Sequence, residues 1–590
     1  MNAFDSLRDG EFSALDVALV EAFASIWPGS DAAALELAAL ASWAVGKGHS
    51  CFVPELLQEW PEQPGPALGE MLLGGRWPRA AFIGDAASAA PIVVDGARAW
   101  LRRYWRYERE IESALHMRSM PFAIVPDPAK VRSALDRLLP LADPGESDWQ
   151  RVAAVTALRT PLTVMCGGPG TGKTYTALRV LALIRQFAGR RLRIGLAAPT
   201  GKAAQRLSES VRLGLQTLAL TDEQRADLPA DAMTLHRLLG FRPQSVLPAR
   251  DAANPLDLDV LVVDECSMVD LPLMAKLLRA LKPECRLILL GDPDQLPAVE
   301  NGAVLATLAA ENPANRFGAA AAGWIEAASN NRIEARAGGP AIGDCVVRLE
   351  RPRRFGGDSG IARVVRAIRG GNAQEVFDAL SAGGDVDWSE QPWRPDGTAA
   401  RDRFRASYAA LAAAESPAAA LAELGRYRIL CALREGPHGV AGINQAVAGV
   451  LHGLLARQPF VAGRPLLVTS NQHALGLFNG DVGVVLGERP DAPLRAWFAR
   501  SDGSLHALLP AQLPAHESAY AMTVHKAQGS EFDTVELVLP AAPHPLLTRE
   551  WLYTAASRAR RELRIHASRE VLAAALARTT RRVNGLAFGG

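Results

Sequence analysis

Two kinds of hydrophobic pattern alternate along most of the chain. Short runs that are apolar at nearly every position are followed by longer stretches with helical spacing. The first such runs are PLTVMC (161–166), RIGLAAP (193–199), VLVVDE (260–265) and RLILLG (286–291). Runs of this kind are typical of parallel strands that helices cover on both faces. A second series includes RYRILCAL (426–433) and TVELVLP (534–540). The pattern therefore predicts an α/β chain with two parallel-sheet domains.

The two series divide the chain into predicted domains. Residues 1–115 repeat apolar positions at helical spacing, as in AAALELAALASWAVGKG (32–48) and ARAWLRRYWRYEREIESAL (97–115), and predict a helical N-terminal domain. The first parallel-sheet domain is expected at 116–345 and the second at 346–590. Within the second, the turn Asn479-Gly480-Asp481 between apolar runs predicts a hairpin. We expect a small β-rich, SH3-like insertion around 455–515.

Composition and charge narrow the function only slightly. The 590 residues are 49% hydrophobic, and 64 basic against 63 acidic side chains give a net charge of +1. This balance does not argue against nucleic acid, because local basic patches are what bind phosphates. The six cysteines are scattered without a CxxC pair, the N-terminus lacks a secretory pattern, and the Ala-rich stretch 406–424 is broken by Glu415 and Pro417. These features predict a soluble, cytoplasmic protein without a membrane span.

The stretch CGGPGTGKTYTAL (166–178) joins a predicted strand to a predicted helix and fits the pattern G-x-x-x-x-G-K-[ST]. Small residues let backbone N–H groups surround phosphates, and the start of the helix adds its dipole. Lys173 would reach the terminal phosphates of ATP and Thr174 would bind Mg²⁺. The predicted nucleotide contacts are Gly167, Gly168, Pro169, Gly170, Thr171, Gly172, Lys173 and Thr174.

Two later strand ends carry further candidate chemistry. Asp264 and Glu265 end VLVVDE, where Asp264 is placed to hold Mg²⁺ and Glu265 to orient and deprotonate the attacking water. In RLILLGDPDQLP, turn chemistry alone explains Asp292 but not Gln295. The neutral amide of Gln295 could contact either the γ-phosphate or the attacking water. Cys266 is interpreted as a buried packing residue, because no His/Asp partner pattern accompanies it.

Eight ordered stretches give the chain a resemblance to helicases of superfamily 1. They are GGPGTGKT, APTGKAA (198–204), TLHRLLG (234–240), VVDECSM, GDPDQLPAVENGAVL, LERPRRFGGDSGI (349–361), TVHKAQGSEF (523–532) and LYTAASRARREL (552–563). Within that superfamily the chain resembles the RecD branch, the α subunit of exodeoxyribonuclease V (RecBCD). The N-terminal stretches KGHSCFVPELL (47–57) and AWLRRYWRYERE (99–110) extend the resemblance. It implies two RecA-like P-loop motor domains.

The resemblance also implies roles around the nucleotide. Gln150 corresponds to the glutamine that reads adenine. Arg354 and Arg558 correspond to the arginines that reach across a cleft to the γ-phosphate, although this chain has Arg353 where the family usually has an aromatic residue. Gly529 and Glu531 are expected to lie towards the sugar and phosphates of ATP.

A second set of residues is expected to contact DNA. Each follows a strand or begins a helix in a motif, where backbone amides, hydroxyls and basic side chains can hold phosphates. The set comprises Thr200, Gly201, Lys202, Thr234, His236, Thr523, His525 and Lys526.

The hypothesis is an ATP- and Mg²⁺-dependent DNA helicase. By resemblance it would move 5′→3′ on a single strand from a duplex end, with RecB-like and RecC-like partner subunits, in double-strand break repair and recombination. No nuclease constellation is visible, so exonuclease activity is expected on a partner. Three alternatives stay open: a stand-alone RecD-like helicase, a P-loop ATPase of another type, and a structural subunit without catalysis. The second does not explain LYTAASRARREL, and intact Lys173, Asp264 and Glu265 argue against the third.

Overall fold

The structure is a computed structural model, and its N-terminal part combines helices with a small sheet. It describes residues 12–588 except for 59–65, 142–146, 219, 243–244, 352–358, 392, 395–396, 490–491 and 501–502. The elements of the N-terminal part are α1 (Ala14–Ile26), α2 (Ala32–Gly46), α3 (Pro66–Leu73), α4 (Arg102–Ser119), β1 (Ile83–Gly84), β2 (Ile92–Asp95) and β3 (Arg98–Leu101).

The N-terminal domain is mostly helical, as predicted, but it also contains three short strands that the helical pattern did not predict. Residues 98–101 were expected to begin a helix, but they pair antiparallel with β2. The pairing of Asp95 with Arg98 leaves Gly96 and Ala97 as a two-residue turn, in which Gly96 has a φ of 55°. An Asp-Gly pair between apolar runs is a hairpin signal, and in this chain it outweighs the helical pattern of the following residues.

The first α/β domain contains a six-stranded parallel sheet with helices on both faces and a separate sheet of two short parallel strands. Its helices are α5 (Pro128–Leu138), α6 (Trp149–Arg159), α7 (Lys173–Phe187), α8 (Gly201–Thr217), α9 (Asp222–Ala226), α10 (Leu235–Leu238), α11 (Leu271–Ala280), α12 (Val304–Ala310) and α13 (Ala319–Ser329). Its strands are β4 (Leu162–Gly167), β5 (Ile194–Ala198), β6 (Met233–Thr234), β7 (Val260–Val263), β8 (Arg286–Gly291), β9 (Phe317–Gly318), β10 (Ala335–Arg336) and β11 (Val346–Leu349).

The strand order explains why distant motifs meet. The sheet runs β11-β4-β8-β7-β5-β6, so β4, β8 and β7 are adjacent and end at the same edge. All six residues of β4 are buried, as a strand covered on both faces requires. Strand β11 also belongs to this sheet, because it pairs with β4. The first sheet therefore continues to Leu349, one strand beyond the boundary expected at 345.

The second α/β domain repeats the plan with a five-stranded parallel sheet. Its helices are α14 (Gly360–Gly370), α15 (Ala373–Ser381), α16 (Thr398–Ala412), α17 (Pro417–Glu423), α18 (Val440–His452), α19 (Val524–Ala527), α20 (Arg549–Ala556) and α21 (Arg569–Ala577). The strands of this region are β12 (Val386–Ser389), β13 (Tyr427–Cys431), β14 (Pro465–Val468), β15 (Val482–Gly487), β16 (Leu494–Ala499), β17 (Leu505–Leu508), β18 (His516–Ser518), β19 (Ala521–Thr523), β20 (Phe532–Val538) and β21 (Ala559–His566).

This region contains two sheets, because the strands of the second sheet are inserted in the sequence between β13 and β19 of the first. The parallel sheet has the order β12-β21-β20-β13-β19, and the five strands β14 to β18 form an antiparallel sheet of their own, in the order β17-β16-β15-β14-β18. The small β-rich insertion is thereby confirmed, and the fold is α/β with two parallel-sheet domains, as the pattern predicted. Short 3-10 turns lie at Pro54–Gln58, Cys266–Met268, Ala341–Cys345, Gly453–Arg457, His473–Leu475 and Pro510–Gln512.

The last described residues leave the second domain and pack on the other two parts of the chain. We call residues 582–588 the C-terminal segment. The amide of Ser50 donates to the carbonyl of Val583, and the amide of Gly585 donates to the buried carboxylate of Glu108. Leu586 and Phe588 are buried in the same apolar cluster as Ile111 and Leu115 of α4. The second domain therefore does not extend to the chain end, contrary to the expected range 346–590.

The structure bears on two sequence predictions, the absence of a membrane span and the role of the cysteines. None of the described helices has the length and apolar character that crossing a membrane requires. All six cysteines are free and buried. Burial raises the pKa of Cys166 to about 12 and that of Cys266 well above its usual value, so both stay as thiols.

Glu108 is predicted to hold the C-terminal segment in place. Its carboxylate also accepts from Ser50 Oγ and from Trp100 Nε1. Glu108→Ala would leave these buried donors unsatisfied and lower the free energy of unfolding by about 3 kcal/mol. Thermal or urea unfolding measures this. The control is Glu110→Ala on the same helix, which removes a half-exposed ion pair with Arg279 and is expected to change stability by less than about 1 kcal/mol. Equal losses in both variants would contradict the assignment.

Candidate functional site

The loop between β4 and α7 is shaped to surround an anion. Gly170 and Gly172 have φ values of 75° and 84°, which glycine adopts without strain. Lys173 is the first residue of α7, and its Nζ donates to the carbonyls of Gly167 at 2.6 Å and Gly168 at 3.2 Å. The lysine ammonium is thus held across the loop at the start of a helix, where the dipole also favours negative charge.

The end of β7 places two carboxylates beside this loop. Thr174 Oγ1 lies 3.4 Å from Asp264 Oδ2, and the amide of Glu265 donates to Asp264 Oδ1 at 2.8 Å. Glu265 has a φ of 53°, a left-handed conformation that is strained for a residue with a side chain. Burial, together with the neighbouring Glu265, raises the pKa of Asp264 to about 6, while Lys173 opposes the shift. A hydroxyl and a carboxylate in this position are suitable ligands for Mg²⁺.

Gln150 lies behind the loop and does not line the cleft. It is buried on α6, and its Nε2 donates to the carbonyl of Thr171 at 3.0 Å. A side chain at position 172 would collide with it, because a Cβ there would stand 2.5 Å from Gln150 Nε2. Its Oε1 is buried and has no partner within the described part of the chain. Gln150 supports the loop in this structure, and its reading of adenine stays a prediction.

The second α/β domain forms the opposite wall of the cleft. Arg558, two residues after the end of α20, is buried, and its guanidinium donates to the carbonyls of Thr554 and Ser530. Burial lowers the pKa of Arg558, whereas the charges of Glu265 and Glu531 raise it. The cleft has a volume of about 680 Å³. It is lined by the loop between β4 and α7 (the P-loop), by the start of α7, and by Asp264, Glu265, Gln295, Gly529, Glu531 and Arg558.

Direct hydrogen bonds join the two walls. The amide of Leu296 donates to Thr554 Oγ1 at 2.8 Å, and Gln528 Nε2 donates to the carbonyl of Leu296 at 3.2 Å. Arg206 on α8 donates to the carbonyl of Gly529 at 2.6 Å and pairs with Glu531 at 3.1 Å. The motif around Gly529 is therefore bound to the first domain beside the P-loop.

Two residues that sequence reasoning missed take part in these contacts. Arg206 lies one helical turn after Lys202, so its presence on the same face of α8 as that motif was the available signal. Tyr553 donates to Asp292 across the domain boundary, and nothing near it in sequence indicates this partner. Arg354, with Arg353, lies outside the described residues.

Three of the residues predicted to contact DNA stand at the starts of helices. Thr200 caps α8, Thr234 caps α10 and Thr523 caps α19, each by accepting a backbone N–H. Gly201 faces Phe478 of the insertion, since a Cβ on Gly201 would stand 3.7 Å from that ring.

The basic members of this set differ in their surroundings. Burial, with the charges of Arg428 and Arg206, lowers the pKa of Lys202 to about 7. His236 is exposed and lies 5.0 Å from the ring of Phe241. Burial lowers the pKa of His525. Lys526 Nζ pairs with Glu517 at 2.9 Å.

The first half of TVHKAQGSEF lines a second groove, distinct from the nucleotide cleft. It has a volume of about 680 Å³ and lies between α18, α19 and the insertion. Thr523 and Lys526 line it, together with the basic side chains of Arg434 and Arg457. Gly529 and Glu531 line the nucleotide cleft instead. The structure thus places the first half of the motif on one groove and the second half on the other.

Comparison with known families gives three matches. Residues 8–99 match "RecBCD enzyme subunit RecD, N-terminal domain", residues 150–301 match "AAA domain", and residues 518–566 match "UvrD-like helicase C-terminal domain". The second match contains the P-loop and Asp264, and the third contains Gly529 and Arg558.

Known proteins resemble the chain over most of its length. It is 40% identical to the RecBCD enzyme subunit RecD of Mycobacterium tuberculosis (strain ATCC 25618 / H37Rv), over 86% of this chain and 84% of that protein. It is 36% identical to the same subunit of Haemophilus influenzae, over 75% and 72%. The ATP-dependent RecD2 DNA helicase of Deinococcus radiodurans is 32% identical, over 68% of this chain but 46% of that protein. Among solved structures, Bacteroides Pif1 bound to ssDNA is similar at 17% identity and a TM-score of 0.36, over 69% and 89%.

Arg206 is predicted to hold the second wall of the cleft against the first. Arg206→Ala removes its bonds to Gly529 and Glu531, so we expect the affinity for a fluorescent ATP analogue to fall about fivefold to tenfold. Arg212→Ala is the matched control, because Arg212 lies on the same helix and pairs with Asp231 away from the cleft. Unchanged affinity in Arg206→Ala, or an equal loss in the control, would refute the prediction.

Proposed function

The chain belongs to the family of RecD subunits of the RecBCD enzyme, and from that membership we propose that it is a DNA-dependent ATPase and helicase. It would act as the RecD subunit of a RecBCD-type helicase–nuclease (exodeoxyribonuclease V), in the cytoplasm, during double-strand break repair and recombination. The observation that carries this proposal is the nucleotide-sized cleft, which one domain lines with a P-loop and two carboxylates and the other with Arg558 and Glu531.

The residues of the cleft support a mechanism for ATP hydrolysis. Lys173 and the loop amides bind the phosphates. Thr174 and Asp264 would hold Mg²⁺, which neutralises charge on the β- and γ-phosphates when bound. Glu265 accepts a proton from water as the water oxygen bonds to the γ-phosphorus and the bond to the β–γ bridging oxygen breaks, giving ADP and phosphate.

Arginine side chains of the second domain would stabilise the transition state of this reaction. Arg558 stabilises the charge that develops on the γ-phosphate, and Arg354 does so by its correspondence to the family motif. By the family motifs, Gln150 would read adenine, and Gly529 and Glu531 would lie towards the sugar and phosphates of ATP. Because the two walls come from different domains, hydrolysis and release would open and close the cleft and so move the chain along DNA.

The grooves beside the helix starts support a path for single-stranded DNA. Thr200, Gly201, Lys202, Thr234 and His236 are assigned to it on the first domain. Thr523, His525 and Lys526 are assigned to it on the second, where Lys526 lies in the groove with Arg434 and Arg457. The groove is lined by these three basic side chains and by Glu435 and Glu517, and basic side chains in a groove are suited to phosphates. The 5′→3′ direction is proposed from the family alone.

The partners proposed for the chain are RecB-like and RecC-like subunits. This proposal is supported by the similarity of the chain to RecD subunits of the RecBCD enzyme. We assign docking to the N-terminal domain (about 1–115), because the motor chemistry lies in the first and second α/β domains. The nuclease activity of such a complex would belong to a partner.

A second candidate function is that of a stand-alone RecD-like helicase. The similarity to the RecD2 DNA helicase of Deinococcus radiodurans favours it, although the chain matches 46% of that longer protein. The match of residues 8–99 to the N-terminal domain of the RecD subunit supports the complex instead.

Lys173→Gln is expected to remove ATP turnover. The substitution deletes the cation that contacts the terminal phosphates, so the rate of ATP hydrolysis in the presence of single-stranded DNA should fall at least about a hundredfold. The unchanged chain should be stimulated by single-stranded DNA. Lys130→Gln, on the exposed face of α5, is the control and should keep both activity and fold. Wild-type turnover in Lys173→Gln, or no stimulation at any DNA concentration, would contradict the proposal.

Purification from native cells is expected to recover a complex. A tag on the chain should co-purify two large subunits in fixed ratio. Recovery of the full-length chain alone, with helicase activity, would favour the stand-alone function.

A further inference from the structure

Helix α20 carries a buried tyrosine against the first domain. The hydroxyl of Tyr553 donates to Asp292 Oδ2 at 3.0 Å, and the two side chains are 3% and 1% exposed. The P-loop leaves room for this approach, because a Cβ on Gly168 would stand 2.9 Å from the tyrosine oxygen. A hydroxyl and a carboxylate that are both taken out of water need each other as partners. The contact is therefore specific to this pair.

Asp292 is hydrogen bonded to Gln295 as well as to Tyr553. The same Oδ2 accepts from Gln295 Nε2 at 3.1 Å, and Oδ1 accepts from the amide of Asp294 at 3.1 Å. Burial raises the pKa of Asp292, whereas the Lys173 ammonium and the Tyr553 hydroxyl lower it. With three donors directed at it, the carboxylate acts as an acceptor. The nitrogen of the Gln295 amide, and not its oxygen, must therefore face Asp292.

This orientation decides what Gln295 presents to the cleft. Gln295 lines the cleft with Glu265, and its Oε1 hydrogen bonds to none of the described residues. An attacking water that gives one proton to Glu265 has a second hydrogen to donate, and an amide oxygen accepts it. Of the two roles open from sequence, γ-phosphate contact or water contact, the fixed amide favours the water.

We propose that Tyr553 is a positioning residue for ATP hydrolysis, which holds the Gln295 amide through Asp292 with its oxygen available to the attacking water. The inference rests on the proposed ATPase function and adds a residue to it. Tyr553 comes from the second domain, while Asp292 and Gln295 follow β8 of the first. Water is therefore positioned only when α20 is in contact with the first domain, which links domain closure to the chemical step.

The test is a double-mutant cycle on the full-length chain, measured as steady-state ATP hydrolysis with an oligo-dT strand. Tyr553→Phe keeps the ring and removes the hydroxyl, and we expect kcat to fall about fivefold with KM for ATP changed less than about twofold. Gln295→Ala should lower kcat about a hundredfold. In the double variant, Tyr553→Phe should lower kcat by less than about 1.5-fold further, because its effect passes through Gln295.

Thr554→Val is the matched control. It removes a hydrogen bond between the same helix and the same loop, from Leu296 N–H at 2.8 Å, without touching the side chain of Gln295. Its effect should multiply with that of Gln295→Ala. The proposal is overturned if Tyr553→Phe lowers kcat by the same factor in both backgrounds, or raises KM with kcat unchanged. If Lys173→Gln and Gln295→Ala both retain full turnover, the ATPase function itself is wrong, and that result is distinct from the other two.

Discussion

A buried guanidinium is the group on which the cleft depends. Arg558 is 3% exposed, and its guanidinium donates to two carbonyls and to the hydroxyl of Ser557. Within the described part of the chain no carboxylate lies within ion-pair distance of it. Burying a charge without an ion-pair partner is unfavourable, and the lowered pKa of Arg558 reflects that burial. An anion in the cleft offsets this unfavourable term, so a bound phosphate stabilises the contact between the two domains as well as its own binding.

Residues whose partners are local in sequence were predictable from the sequence alone. The P-loop is one continuous stretch in which glycine spacing, lysine position and helix start reflect the same requirement, and the structure places Pro169, Gly170, Gly172, Lys173 and Thr174 on the cleft. The strands of both parallel sheets follow the apolar runs, because burial on both faces leaves no polar alternation. Strand β3 was missed, since a short hairpin signal at Asp95-Gly96 competed with a longer helical pattern.

The residues that sequence reasoning missed depend on partners far away in the chain. Arg206 contacts Gly529 across 323 positions, and Tyr553 contacts Asp292 across 261. Hydrophobic periodicity carries no information about such pairs, because it reports which face of an element is buried and not what covers it. The same reason hides the C-terminal segment, whose partners Ser50 and Glu108 lie about 480 to 530 positions upstream.

The path of the chain also restricts how the two domains can move. The second domain begins after Leu349, where the first sheet ends, and the chain leaves it again between Thr580 and Arg582. Thr580 is still bonded to Glu550 of that domain, whereas Arg582 already donates to the carbonyls of Lys47 and Ala298. Both connections therefore lead to a body formed by the N-terminal part and the first α/β domain.

Within that body, the loop after β8 is hydrogen bonded to the N-terminal part, and the same loop carries Gln295. Asn301 Nδ2 donates to the carbonyls of Val45 and His49, so the residues from Asp292 to Asn301 reach from the nucleotide cleft to the N-terminal part. A second domain that is attached at two points to one body can rotate about them but cannot move freely away. Separation of the two walls would break the contacts of Arg206, Tyr553 and Thr554 together, because all three join the same two walls.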